Sequence, residues 1–125
     1  MKTIAIEVDL AKYKYVDLPL EDAKEFLYRI RDEKGELADI GEVLRYLDNF
    51  KEFYEYLQKK FKDYLAVPHR PDDYIRGSVL IDRVKLYVDK GEKRVVLVFD
   101  RRISTDFLAD VLSSMGYSVE VKKIF

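Results

Sequence analysis

The residues best placed to do chemistry lie in one short run, Asp100-Arg101-Arg102-Ile103-Ser104-Thr105-Asp106. The run follows an apolar segment that predicts a buried strand and precedes a segment with the apolar spacing of a helix. In open α/β sheets ligands gather at the carboxyl ends of strands, and a helix N-terminus presents free N–H groups to an anion. The run therefore predicts an anion site for phosphate or carboxylate, with two arginines as bidentate donors: Arg101, Arg102, Ser104 and Thr105.

The same run has a plainer interpretation, as an ordinary strand-to-helix loop. Ser104 or Thr105 would cap the helix, and the arginines would be solvated or paired with Asp100 or Asp106. We favour this interpretation because a phosphate loop normally carries glycine for close backbone approach, and this run has none.

A second candidate is Glu120-Val121-Lys122, which matches the E-x-K half of a PD-(D/E)xK nuclease site. There acids hold Mg²⁺ and the lysine assists the attack, and Asp100 would have to supply the other half. Such sites bring the acid and the E-x-K together on neighbouring strands, but here a helix is predicted between them. We therefore interpret Glu120 and Lys122 as alternating residues on an exposed strand face.

The chain contains one histidine, His69, and no cysteine. This composition excludes thiolate nucleophiles, disulfides and metal sites built from several histidines. His69 could still act as a general base or join Asp72 and Asp73 around a metal. Because it lies in a loop between two prolines, we expect it to be solvated. The sequence predicts no metal site and no cofactor.

The composition indicates one folded domain of a heat-adapted protein, spanning residues 1–125. Apolar residues make up 48% of the chain and charged residues 38%, which excludes a disordered chain. Asparagine and glutamine occur once each, which indicates a thermophilic host, archaeal or an archaeal virus. No apolar run approaches the roughly 20 residues that cross a bilayer, and the N-terminus does not resemble a signal peptide. We therefore expect a cytoplasmic protein that does not bind membranes.

The fold prediction begins from Arg94-Val95-Val96-Leu97-Val98-Phe99-Asp100, whose unbroken apolar centre is typical of a strand buried on both faces. We predict a single α/β layer domain with a small mixed sheet, in which strand 94–100 is central and helices cover it. Strands 3–8 and 117–124 should lie beside it, residues 13–18 could form a further strand, and helices should follow Pro19 and Ser104.

The longest periodic segment is 40–65, where apolar residues recur in an a/d heptad pattern. We favour one long helix here, although Asn49 followed by Glu52 could begin a second helix. A helix of that length would leave part of its apolar seam uncovered. The seam therefore predicts a homo-oligomer contact formed by Leu47, Phe50, Tyr54, Leu57 and Phe61.

Residues 78–90 fit two patterns. Val84, Leu86 and Val88 alternate as in a strand, whereas Leu80, Ile81, Val84 and Tyr87 make a helical stripe, and we favour the helix.

The sequence as a whole favours a non-enzymatic interaction module that forms homo-oligomers. The alternative is a small phosphate-handling enzyme, or a nucleic-acid binder, that uses the 100–106 loop. The formal net charge of −1 gives no general case for nucleic-acid binding, and substrate and pathway stay open.

Overall fold

The computed structural model describes residues 2–35 and 37–125, which form a mixed α/β fold with a six-stranded sheet and five helices. The spatial order of the strands is β3-β4-β5-β2-β1-β6. The pair β1–β6 is parallel, and the other four pairs are antiparallel. In chain order the elements are β1 Lys2–Val8, β2 Lys14–Pro19, α1 Leu20–Lys34, α2 Ala38–Asp48, α3 Phe50–Lys59, β3 Leu65–Ala66, α4 Pro71–Arg76, β4 Ile81–Asp89, β5 Glu92–Phe99, α5 Thr105–Ser114 and β6 Tyr117–Lys123.

The prediction of a central strand at 94–100 is confirmed, but its neighbours differ from those expected. β5 lies between β4 and β2, so the strand at 3–8 is two positions away and the strand at 117–123 is at the sheet edge. The reason is the β1–β2 hairpin, which places β2 between β1 and β5. The turn of that hairpin has no glycine, and Lys12 takes the left-handed conformation there, with φ 75°.

The prediction of one long helix over 40–65 is wrong. Asn49 separates α2 from α3, and the longest helix in the described residues is α1, with 15 residues. The side-chain amide of Asn49 donates to the carbonyl oxygen of Arg45 at 2.9 Å, and the backbone of Asn49 leaves the helical region, with ψ 42°. Such a side-chain bond competes with the helical ladder. α3 ends at Lys59, shortly before Phe61, whose φ is positive at 53°.

The favoured helix at 78–90 is also wrong, because residues 81–89 form β4. β4 pairs along its length with β5 through a hairpin whose turn residues are Lys90 and Gly91. Both have positive φ, 50° and 80°, as a tight two-residue hairpin turn requires. Pairing with the central strand therefore overrides the helical stripe.

The core lies on one face of the sheet. The strand residues that point to this face are buried together with the inner sides of α1, α2, α3 and α5, and Phe26 of α1 meets the ring of Phe99 edge-on at 5.7 Å. The opposite face carries no helix from this core, so the expectation that helices cover the central strand holds for one face only. None of the helices in the described part of the chain is long and apolar enough to cross a membrane.

Candidate functional site

The side of the sheet opposite the core helices, which we call the open face, carries none of those helices, although Val98 of β5 is fully buried on it. The strand registers place every second residue of each strand on it. Its members are Thr3, Ala5 and Glu7 of β1, Tyr15, Asp17 and Pro19 of β2, Ala66 of β3, Arg83, Lys85, Tyr87 and Asp89 of β4, Glu92, Arg94, Val96 and Val98 of β5, and Ser118, Glu120 and Lys122 of β6.

A cluster of three tyrosines around Arg83 occupies one end of the open face. The guanidinium carbon of Arg83 lies 5.0 Å from the ring centre of Tyr64 and 5.6 Å from those of Tyr13 and Tyr15. Its Nη2 donates to the hydroxyl of Tyr15 at 2.8 Å, and its Nη1 donates to Asp82 at 2.6 Å. These contacts hold a large, flat, amphipathic group rigidly on the surface.

The Tyr15 hydroxyl connects this cluster to the β1–β2 turn. It donates to Oδ2 of Asp9 at 2.8 Å, and Oδ1 of Asp9 accepts from the backbone N–H of Tyr13 at 3.0 Å. Burial raises the pKa of Tyr15, and the hydrogen bond to Asp9 raises it further. Tyr15 therefore stays protonated at neutral pH and serves as a fixed donor.

A second cluster lies further along the same face, around Asp17. Its carboxylate accepts from the hydroxyl of Tyr87 and from Nε of Arg94, the latter at 3.0 Å. The ammonium of Lys85 lies 5.7 Å from the ring centre of Tyr87. Burial opposes the charge of Arg94, but the Asp17 carboxylate outweighs it and the pKa of Arg94 is raised. The cluster is thus a charged and aromatic patch that already has internal order.

The charges of the open face are mixed, with a small difference between its halves. β4 and β5 carry three cations, Arg83, Lys85 and Arg94, and two acids, Asp89 and Glu92, whereas β2, β1 and β6 carry three acids and one cation, Asp17, Glu7, Glu120 and Lys122. Both signs of charge are therefore present, with the larger share of acids on β2, β1 and β6. A surface of this kind suits a partner with both signs of charge better than it suits a polyanion.

The predicted anion site is only partly formed as expected. Arg102 donates from Nε to Asp100 at 2.9 Å and from Nη1 to the carbonyl of Tyr74 at 2.9 Å, so its guanidinium is engaged. Ser104 caps α5 by accepting from the N–H of Phe107 at 3.3 Å, and Thr105 is the first residue of that helix. Arg101 is exposed. These contacts are those of the plainer interpretation, and anion binding stays a prediction.

Sequence reasoning missed Lys14, which lies beside this loop. Its side chain is buried and donates to the carbonyl oxygen of Arg101 at 2.7 Å. Burial lowers the pKa of Lys14, and the nearby Asp100 carboxylate opposes this effect. The alternation of Lys14, Val16 and Leu18 is the signal that could have placed the lysine on the inner face of β2.

The residues predicted to form the oligomer contact lie mainly in the core of their own chain. Leu47, Phe50 and Leu57 are buried, and Tyr54 is half-buried and stacks on Phe50 at 5.8 Å between ring centres. Phe61 is the exception and is 96% exposed. Most of the apolar residues of segment 40–65 are therefore buried within their own chain. A contact between two copies would have to use other residues.

His69 is buried, contrary to the expectation of a solvated histidine. Its Nε2 lies 3.5 Å from Oδ2 of Asp39, and both side chains are almost inaccessible. The same Oδ2 accepts from the N–H groups of Leu80 and Ile81, at 2.6 and 3.0 Å. Asp39 therefore ties the start of α2 to the start of β4, which is a structural role.

Asp100 and Glu120, the two halves of the nuclease pattern, do not meet. Asp100 follows β5, whereas Glu120 lies on β6, with β2 and β1 between them, and Glu120 pairs with Lys122 at 3.1 Å. Within residues 2–35 and 37–125 no group of three His, Asp or Glu side chains is arranged to hold a metal ion.

Comparisons with protein-family models, with curated proteins and with solved structures found no match for this chain.

Proposed function

We propose that this protein is a non-enzymatic interaction module that acts by self-association, and that its open face is the surface that contacts a second copy. The observation that carries the proposal is the open face itself, a six-stranded surface with ordered tyrosine and arginine clusters and no covering helix. The homo-oligomer predicted from the sequence would then form through the open face, and not through the apolar residues of segment 40–65.

The composition of the open face is that of a protein contact. Tyrosine and arginine are the residues that most often dominate binding energy at protein interfaces, because they bury much area and lose little freedom. Six strands spaced about 4.8 Å apart give a width of roughly 25 Å. With strands roughly 20 Å long, apart from the two-residue β3, the flat area of the face is roughly 500 Å², less than the about 800 Å² per partner of a standard-size complex, which fits a weak contact.

The strand order and registers allow one pair of opposite charges between two open faces. A two-fold axis that runs parallel to the strands, between β5 and β2, would place β4 of one copy over β1 of the second copy. The registers put Glu7, Tyr15, Val98 and Arg83 at one level across the sheet. Arg83 would therefore face Glu7 of the second copy, and the contact would occur twice, as an isologous interface requires.

The first test is the molar mass in solution, measured by light scattering across a range of concentrations. Val96 is half-buried at the centre of the open face, level with Asp17. Val96→Glu adds a carboxylate that would face Asp17 of the second copy, so we expect a lower molar mass than that of the wild type. Lys51→Glu, an exposed charge change on α3, is the control and should leave the mass unchanged.

The specific pairing is tested by exchanging charges. Arg83→Glu and Glu7→Arg should each weaken association at least about tenfold, and the double variant should recover part of the loss because the pair is restored in reverse. Circular dichroism confirms that each variant is folded.

A wild type that stays monomeric at millimolar concentration, or a Val96→Glu mass equal to that of the control, would overturn the proposal. Association that appears only after addition of a short RNA would favour the nucleic-acid binder instead.

A further inference from the structure

The two edges of the sheet differ in how much unpaired backbone they offer. β3 at one edge has two residues, whereas β6 at the other has seven. A short edge strand protects a sheet from further pairing, and a long one is a template for another strand. In the residues that the structure describes, β3 pairs only with Arg83 and Val84 of β4, which leaves residues 85–89 of β4 without a strand partner on that side, but β6 is the longer unpaired strand and is unpaired along its whole outer side.

Exposed apolar side chains accompany the β6 edge. Val121 is 54% exposed, although its partner in β1, Ile6, is fully buried. Just beyond the strand, Ile124 and Phe125 are also exposed. Val121 and Phe125 alternate onto the same side of the stretch, and a neighbouring strand would cover part of both.

The direction of the unpaired backbone groups follows from one hydrogen bond. The N–H of Ile124 donates to the carbonyl of Val8 in β1 at 3.0 Å, so the even-numbered residues of this stretch turn their backbone groups towards β1. Because the direction alternates along a strand, the groups of Val119, Val121 and Lys123 point outwards.

We propose that β6 pairs antiparallel with β6 of a second copy, about a two-fold axis at Val121. The outward groups of Val121 would then bond to those of the same residue in the second copy. Val119 would pair with Lys123 of the second copy, and the reverse. The two sheets would become one continuous sheet, with both open faces on the same side.

Among the registers centred on Glu120, Val121 and Lys122, which all keep the two open faces on the same side of the joined sheet, the charges favour the one centred on Val121. With Val121 at the axis, Glu120 lies opposite Lys122 of the second copy twice, which gives two cross-strand pairs of opposite charge. Moving the axis to Glu120 or to Lys122 would place like charges directly opposite each other. Edge lysines usually block strand pairing, but in this register Lys122 is matched by an acid.

The remaining contacts in this register are also favourable. Val121 would pack against its own counterpart on the helix-covered side, where it is now exposed. If the strand continues past Lys123, Phe125 would lie opposite Tyr117 of the second copy, which is an aromatic cross-strand pair. The contact shares Glu120 and Lys122 with the rim of the open face, but it uses none of Glu7, Arg83 and Val96, so it can be tested separately from the self-contact proposed above.

Single cysteines provide the test, because the natural chain has none. In the proposed register Val121→Cys places two thiols on directly opposite residues, at a Cα separation of about 5.5 Å that a disulfide spans. Ser118→Cys is the matched control on the same strand, because its thiols would lie roughly 20 Å apart. We expect Val121→Cys to form the covalent dimer at least about tenfold faster under mild oxidation at micromolar concentration.

A second variant tests the hydrogen bonds without disturbing the fold. Val121→Pro removes an N–H that points away from β1, and proline is tolerated at such edge positions. This variant should lose the edge contact and lower the molar mass, whereas Val121→Thr retains the donor and should keep most of the association.

The outcomes separate this proposal from the one for the open face. If only the face contact fails, Val96→Glu carrying Val121→Cys still cross-links efficiently. Equal cross-linking of Val121→Cys and Ser118→Cys would overturn the edge contact, even if the face contact holds. Faster cross-linking of Glu120→Cys or Lys122→Cys than of Val121→Cys would overturn the register.

Discussion

The two faces of the same strands have opposite chemistry. On β5, Val95, Leu97 and Phe99 point to the helices and are fully buried, whereas Arg94 and Val96 point to the open face and are half-buried. Val98 also points to the open face, where it pairs with Tyr15 and Arg83, and it is fully buried. The helix-covered face contains the aliphatic core, and the open face contains tyrosines, arginines and aspartates that bond to one another. The difference implies that one face supplies most of the folding free energy, which leaves the other available for binding.

The largest expected effect comes from truncating neighbours on β5 that point to opposite faces. Leu97→Ala leaves a cavity in the core and should lower the free energy of unfolding by about 2–5 kcal/mol. Val96→Ala on the open face should cost less than about 1.5 kcal/mol, because the site is half-buried and can relax. Urea denaturation of both variants measures the difference. Equal losses would show that the open face is a second core.

Much of the helix-covered face could be predicted from the sequence. The alternation of Ile4, Ile6 and Val8 and the helical spacing in α1 both follow from local periodicity, and these elements form as expected. At 40–65 the same kind of periodicity gave the wrong prediction of one long helix, because the heptad spacing of apolar residues continues through Asn49. There a local side-chain bond to Arg45 decides the break, and a pattern of apolar residues does not contain that information.

The open face was not predictable in the same way. Tyr13, Tyr15, Tyr64 and Arg83 come from separate parts of the chain, and they meet only because of strand order and register. The strand at 81–89 was itself ambiguous, so Arg83 and Lys85 had no assigned face. Backbone pairing over a long sequence separation determines both, and a single sequence does not specify it.

A smaller effect should appear in alkaline solution. Burial, together with the nearby Glu42 carboxylate, raises the pKa of Tyr46 to about 12. Because this pKa is above the unfolded value near 10, the tyrosine contributes stability below pH 10 that is lost as the pH rises through 12. At pH 12 the loss should be less than about 2 kcal/mol, because Glu42 is partly exposed and solvent screens its charge.

Replacing tyrosine with phenylalanine isolates this contribution. Tyr46→Phe should flatten the decline in unfolding free energy between pH 10 and 12, as followed by denaturation at fixed pH values. On the open face the pKa of Tyr15 is also raised, so Tyr15→Phe should act in the same direction. A Tyr46→Phe profile identical to that of the wild type would show that the hydroxyl titrates normally in the folded chain.

The smallest expected effect is the loss of one hydroxyl from the open face, compared with the same loss from the covered face. Tyr87 and Tyr117 each donate to an aspartate, Asp17 on the open face and Asp22 at the start of α1. A hydrogen bond to a charged group contributes about 1.5–3 kcal/mol when its partner would otherwise be left buried and unpaired. Tyr117 is buried, but Asp22 is 25% exposed and keeps its ion pair with Lys2 at 3.5 Å, so Tyr117→Phe should cost about 1.5 kcal/mol, the lower end of that range. Asp17 is partly exposed and keeps its bond to Arg94, so Tyr87→Phe should cost less than about 1 kcal/mol in the isolated chain. Thermal denaturation of dilute protein measures both. If Tyr87→Phe lowers the stability by more than this, and the loss grows with protein concentration, the hydroxyl stabilises the contact between copies, since only association depends on concentration.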